Sequence, residues 1–127
     1  MSQFKKYNLN SPQRQALWAE QKEGVRRILE ELQRDVFDGR AEIVADIASR
    51  FSGLARPNLA LRPTGELRGF LSICVSPKRA DQMRVLASNG HTATRLDGPV
   101  DDLVEIVEKG LRRWLSQPMY RPLVGPG

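Results

Sequence analysis

The run Gly69-Phe70-Leu71-Ser72-Ile73-Cys74-Val75 constrains this chain more than any other stretch, because it is nearly all apolar or small and turn residues bound it on both sides. A segment of that length and content reads as a strand buried on both faces, so the fold must cover a sheet from two directions. We read it as the central strand. Before it, Arg56-Pro57 and Arg62-Pro63 reject helix. Pro63-Thr64-Gly65-Glu66 predicts a hairpin turn between a strand at Leu59 to Arg62 and a second strand within Leu67 to Val75.

Ser11-Pro12 supplies an N-cap and a first-turn proline. Trp18, Val25, Ile28, Leu29, Leu32 and Val36 then recur at helical spacing, which predicts a long helix from Pro12 to about Phe37. Ile43, Ile47 and Phe51, four apart, predict a second, shorter helix closed by Gly53. Ser76-Pro77 repeats the capping chemistry and predicts a third helix through Met83 and Leu86 to Asn89-Gly90, and Thr92 to Leu96 predicts a returning strand. Together these make a βαβ unit with parallel strands. Val100, Leu103, Val104, Val107, Leu111, Trp114 and Leu115 predict a last helix, with Asp101 and Asp102 at its positive end and Arg112 and Arg113 at its negative end.

The expected order is α-α-β-β-α-β-α. That is an α/β fold, with α+β as the alternative, built on a small mixed sheet of about three strands with helices on its faces. Residues 1–10 read as an N-terminal arm, 11–117 as a single domain and 118–127 as a Pro/Gly-rich tail or linker. If Leu59 to Arg62 is an open edge, pairing it with a second copy, or packing two long first helices together, predicts a homodimer.

With 127 residues, 40% hydrophobic and 28% charged, the chain suits one domain with a modest core. It holds no apolar run long enough for a membrane helix. Met1 to Asn10 has no apolar stretch of the secretory kind, and a lone cysteine, Cys74, forms no internal disulfide. The expected location is the cytoplasm or the inside of a virion assembled there.

Charge is distributed unevenly. The formal net charge is +5, and residues 50–95 carry eight basic groups against Glu66 and Asp81, while both flanks are close to neutral. Fifteen of the twenty basic residues are Arg, whose planar fork suits carboxylate and phosphate. Arg62, Arg68, Lys78, Arg79 and Arg84 are therefore the candidate contact residues for nucleic acid or a protein partner. A solvated face with internal ion pairs accounts for the same residues without a partner. Phe51 and Phe70 are the aromatics of the basic stretch, too few for a base-stacking platform.

For catalysis, the single His91 and single Cys74 read functionally as a Cys-His nucleophile pair, yet Cys74 lies in the most apolar strand, where a thiol is ordinarily inert. The carboxylates at Glu20, Glu23, Glu30, Glu31, Asp101, Asp102, Glu105 and Glu108 fit solvated helix faces. No P-loop, dinucleotide fingerprint, HExxH or GxSxG string occurs, so no catalytic residue, metal site or cofactor is expected.

Over about residues 40 to 116 the expected element order resembles a BRCT-like domain lacking its first strand, and Thr64-Gly65 and Ser52-Gly53 are similar to the Ser/Thr-Gly pair with which such modules bind phosphate. Trp114 stands late in the final helix, a departure that carries no phosphopeptide site over. In size, motif-free α/β core and Pro/Gly tail the chain also resembles the small packaging accessory proteins of double-stranded RNA phages, the cystoviruses. That resemblance implies a non-enzymatic capsid component that assists genome packaging and stabilises the polymerase complex. The expectation is thus a non-enzymatic accessory or assembly factor of a nucleic-acid-protein complex, with RNA or another nucleic acid and other assembly proteins as partners. A protein-protein adaptor without nucleic-acid contact is the alternative.

Overall fold

The computed structural model describes residues 11–47, 57–65 and 67–116. The arm expected at 1–10, the tail at 118–127, and Phe51 and Gly53 of the expected second helix lie outside the described residues.

Helix α1 spans Pro12–Asp35, opened as the sequence suggests by the Ser11 hydroxyl, which accepts the Arg14 N–H at 3.3 Å. Its core stripe is Val25 and Leu29, with Leu17, Trp18, Ile28 and Leu32 half-buried beside them. Asp38 and Gly39, both at positive φ (52° and 80°), then reverse the chain. Five strands follow: β1 (Ala41–Ala45), β2 (Asn58–Pro63), β3 (Phe70–Val75), β4 (Gln82–Ser88) and β5 (Ala93–Pro99). A 3-10 turn at Val100–Asp102 leads into helix α2 (Leu103–Leu115). The strands form one antiparallel meander in the order β1-β2-β3-β4-β5.

The expected three-stranded mixed sheet is therefore corrected to five antiparallel strands, and the order to α-β-β-β-β-β-α among the described residues. Two expected helices are replaced by strands. Residues 41–45 read as helix from the four-residue spacing of Ile43 and Ile47, but Ala41 and Ile43 face the core two apart and the β-branched Ile43 and Val44 suit the pleat. Residues 77–89 read as helix from the Ser76 cap. That cap exists, since the Ser76 hydroxyl accepts the N–H groups of Lys78 and Arg79 at 3.1 and 3.3 Å, yet it closes a turn rather than starting a helix. Met83, Val85 and Ala87 then alternate into the core. The crossover becomes a hairpin, β5 runs antiparallel, and Asn89-Gly90 is its turn, with the Asn89 side chain accepting the N–H of His91 and Thr92 at 2.8 Å each. Leu59 to Arg62 is not an edge, because β1 pairs outside it. Among the described residues the outer strands are β1 and β5.

Both helices lie on one face of the sheet, α1 over β1 to β3 and α2 over β4 and β5. The core between them and the sheet includes Val25, Leu29, Leu61, Leu71, Ile73, Met83, Val85, Val107 and Trp114. Gly110 lets α2 approach closely, since a Cβ there would meet Val85 at 3.0 Å. Of the apolar stripe expected on α2, Val104 (58%) and Leu115 (45%) are exposed, and Ile106 is buried instead. Ala60, Phe70 and Leu86 form a second, smaller cluster on the other face, so β3 is buried on both sides as its sequence suggests.

The two helices also run in the same direction. Arg14 in the first turn of α1 donates to the carbonyls of Ser76 and Pro77, in the turn between β3 and β4. Past the far end of α1, the Phe37 ring meets Trp114 of α2 at 5.8 Å, and the Trp114 indole N–H donates to the Arg68 carbonyl in the loop between β2 and β3. Both helices start at the end of the sheet marked by Ser76 and finish at the end marked by Arg68.

Candidate functional site

The five candidate basic residues divide between the two ends of the sheet. Arg62, late in β2, and Arg68, in the loop after it, stand at the end where the helices finish. Lys78 and Arg79 in the β3–β4 turn, and Arg84 early in β4, stand at the end where the helices start. The length of β3, about 20 Å, separates the groups.

Their environments also differ. Arg84 is spent internally: its Nε and Nη2 donate to Asp97 at 2.6 and 3.0 Å, with the two side chains only 13% and 21% exposed. Arg79 lies 3.5 Å from Asp81, and Arg62 lies 3.1 Å from Glu42 across the β1–β2 pair. Both of those pairs are roughly half or more exposed, and surface ion pairs of that kind contribute about 0 to 1 kcal/mol, so an incoming anion displaces them at little cost.

The fold gathers further charges that chain position conceals. At the end with Arg62 and Arg68 stand Arg34, Arg40, Arg112 and Arg113, against Asp35, Asp38 and Glu42 among the described residues. Among the described residues at the opposite end, Asp46, Asp81, Asp97, Asp101, Asp102 and Glu105 outnumber Arg14, Lys78, Arg79 and Arg84. Part of this separation answers the helix dipoles: Arg34, Arg112 and Arg113 occupy last turns, and Asp101, Asp102 and Glu105 the first turn of α2 and the 3-10 turn before it. Arg40, Arg62 and Arg68 come from loops and a strand end and have no such helix role. Arg40 belongs to the near-neutral first third of the sequence, and only strand pairing brings it beside the β2–β3 loop, where the Thr64 N–H donates to its carbonyl at 3.1 Å.

The Cys74 and His91 pair is not assembled. Cys74 is buried in β3 opposite Arg84, and His91 is exposed in the turn after Ser88, which pairs with Phe70 at the other end of β3. Four strand residues, about 13 Å, lie between those positions. No group of three or more metal-ligating side chains occurs among the described residues, and no helix there is long and apolar enough to cross a membrane.

The surroundings of Asp97 shift its acidity. Its partial burial raises the carboxyl pKa, but hydrogen bonds from Arg84 and Ser76 and the charges of Arg84 and Lys78 outweigh that and hold it below the ordinary aspartate value of 3.8. It is a fixed anion that ties β4 to β5, and its hydrogen-bond partners are already in place.

No family model, no curated protein and no solved structure matches this chain.

Proposed function

We propose that this protein is a non-enzymatic accessory or assembly factor that docks on an anionic surface of a nucleic-acid-protein complex through the end bearing Arg40, Arg62 and Arg68. The observation that supports this reading is the separation of charge along the helix direction among the described residues, with arginines from three separate segments at one end and carboxylates in excess at the other. A molecule so polarised presents one end to a polyanion and turns the other away. The packaging role that the cystovirus resemblance implies is one instance of such docking, and the cytoplasm or a virion interior is the compartment where it would occur. A homodimer belongs to the same reading, with β1 and β5, the outer strands among the described residues, as the edges a second copy would pair with; light scattering across a concentration series checks it.

Fluorescence anisotropy with labelled double-stranded RNA, single-stranded RNA and double-stranded DNA tests the docking end. Binding should weaken steeply with salt, disappear in Arg62→Glu/Arg68→Glu, and persist in Lys78→Glu/Arg79→Glu. Equal loss in both variants would remove the assignment to one end. No binding at low salt would remove nucleic acid and leave the protein-only adaptor.

A further inference from the structure

We propose that β5 is the self-association edge of this protein, pairing antiparallel with β5 of a second copy about a two-fold axis through Leu96. The inference deepens the homodimer of the reading above by naming its strand, register and contact residues, and it takes nothing from the arginine end.

The backbone groups that β5 offers follow from its ladder with β4. Hydrogen-bonded and non-bonded pairs alternate along an antiparallel pair of strands. The Asn89 N–H donates to the Thr92 carbonyl at 3.2 Å, so Thr94, Leu96 and Gly98 turn their backbone groups toward β4, and Ala93, Arg95 and Asp97 turn theirs outward. Arg95 and Asp97 are exposed residues, and because the Asp97 side chain is only 21% exposed, the exposed part of Asp97 is largely backbone. Among the described residues no strand pairs on that side. A row of backbone groups open in this way is a template for another strand.

The side chains select the occupant and the register. Arg95 and Asp97 both project to the sheet face away from the helices, opposite Leu86 and Arg84 of β4. With the axis at Leu96, outward backbone groups meet outward groups: Arg95 opposes the partner's Asp97, Asp97 opposes the partner's Arg95, and Ala93 opposes the partner's Pro99. The two-fold axis makes the pair of opposite charges occur twice. Moving the axis to Arg95 would set that arginine against its own copy, and moving it to Asp97 would set two carboxylates together. Asp97 keeps its bonds to Arg84 in the dimer, since a carboxylate accepts from two guanidinium groups. On the helix side, the half-buried Leu96 meets the partner's Leu96 on the axis. Helix α2 lies over β4 and β5 alike, so its two copies come about 10 Å apart, an ordinary packing distance. The other outer strand, β1, is less suited. The Gln33 side-chain amide already donates to the Ala41 carbonyl on its outer side at 2.7 Å, and Glu42, its one charged residue, finds no basic residue on a second β1.

Sedimentation velocity of the full chain across a concentration series should show a monomer–dimer equilibrium. Arg95→Glu should weaken it about tenfold or more, because two contacts per dimer turn from attraction to repulsion, and Arg95→Lys, which keeps the charge, should largely restore it. Circular dichroism checks that both variants fold. A second measurement needs no variant: amide hydrogen exchange followed by NMR on the parent chain. The N–H groups of Ala93, Arg95 and Asp97 should exchange quickly in the dilute monomer and slowly in the concentrated dimer, while those of Ala41, Ile43 and Ala45 on β1 stay unchanged. Protection that rises on β1 instead, or a dimer indifferent to Arg95→Glu, overturns the proposal. A parent that stays monomeric across the series overturns it together with the homodimer. The docking end is read separately, from RNA binding in Arg62→Glu/Arg68→Glu, so either reading can fail without the other.

Discussion

Arg84 on β4 and Asp97 on β5 oppose each other in register and share two hydrogen bonds, and the Ser76 hydroxyl donates to the same carboxylate at 2.8 Å. Ser76 in turn accepts the N–H groups of Lys78 and Arg79. One carboxylate thus anchors the β3–β4 turn to the edge strand β5, and Arg14 ties α1 to the same turn through the carbonyls of Ser76 and Pro77.

The acid sensitivity of the fold should reflect this knot. Because the Asp97 carboxyl is held below 3.8 in the folded chain, the unfolded chain binds a proton there more readily. The stability it contributes is therefore fully present above the unfolded value and is lost as pH falls through the folded one. Urea unfolding should show Asp97→Asn less stable than the parent by a constant margin from pH 7 to about 5, with the margin shrinking below 3.8. A margin that widens on acidification would contradict the assignment.

Two glycines separate backbone conformation from space. Gly69 has φ +97°, and a Cβ there would sit 1.7 Å from the Ser88 carbonyl oxygen, at the end of the β3–β4 pair. Gly90 has nearly the same φ, +96°, with nothing within 4 Å of its Cβ position. Gly90→Ala should cost only the left-handed conformation, about 1 to 2 kcal/mol. Gly69→Ala should cost clearly more, or prevent folding, because backbone must move. Chemical denaturation of both variants decides this, and equal losses would mean the β3–β4 pair yields easily.

The sequence made α1, β3 and the hairpin of β2 and β3 legible because in each a local signal and the tertiary environment agree. Ser11-Pro12 caps a helix that has a stripe to bury, and the run at Phe70 to Val75 is apolar on both faces because both faces are covered. The failures come from signals that serve two structures. A serine accepting N–H groups two and three residues on is the same hydrogen bonding in a helix cap and in the Ser76 turn, and Asn89-Gly90 closes hairpins as well as helices. What decided residues 82–88 was the alternation of Met83, Val85 and Ala87, which the apparent helix cap masked. The arginine-bearing end was half visible. Arg62 and Arg68 stood out by charge, but Arg40 joins them only through the long-range pairing of β1 with β2, which no local pattern encodes.

Trp114 should report on the same end of the molecule. It is 1% exposed, its indole N–H donates to the Arg68 carbonyl at 3.1 Å, and its ring braces Phe37. Trp114→Phe removes the bond and part of the packing, and a loss of about 1 to 3 kcal/mol is expected. In Trp18→Phe, where Trp114 is the remaining tryptophan, emission should be blue-shifted in the folded chain and move to the red in one step on unfolding. Emission already red-shifted before denaturant is added would show that Trp114 is not packed between the loop and α1.

Cys74 offers a direct check on the separation from His91. The residue is 4% exposed within β3, the middle strand of the sheet, so a thiol reagent reaches it only when the sheet opens. Labelling with Ellman's reagent should be slow in native buffer, speed up in parallel with unfolding as urea is added, and be unchanged by His91→Ala. An imidazole close enough to stabilise the thiolate would instead give fast native labelling that slows when His91 is removed. That result would restore the nucleophile pair. Labelling that tracks unfolding and ignores His91 would leave Cys74 as a core side chain.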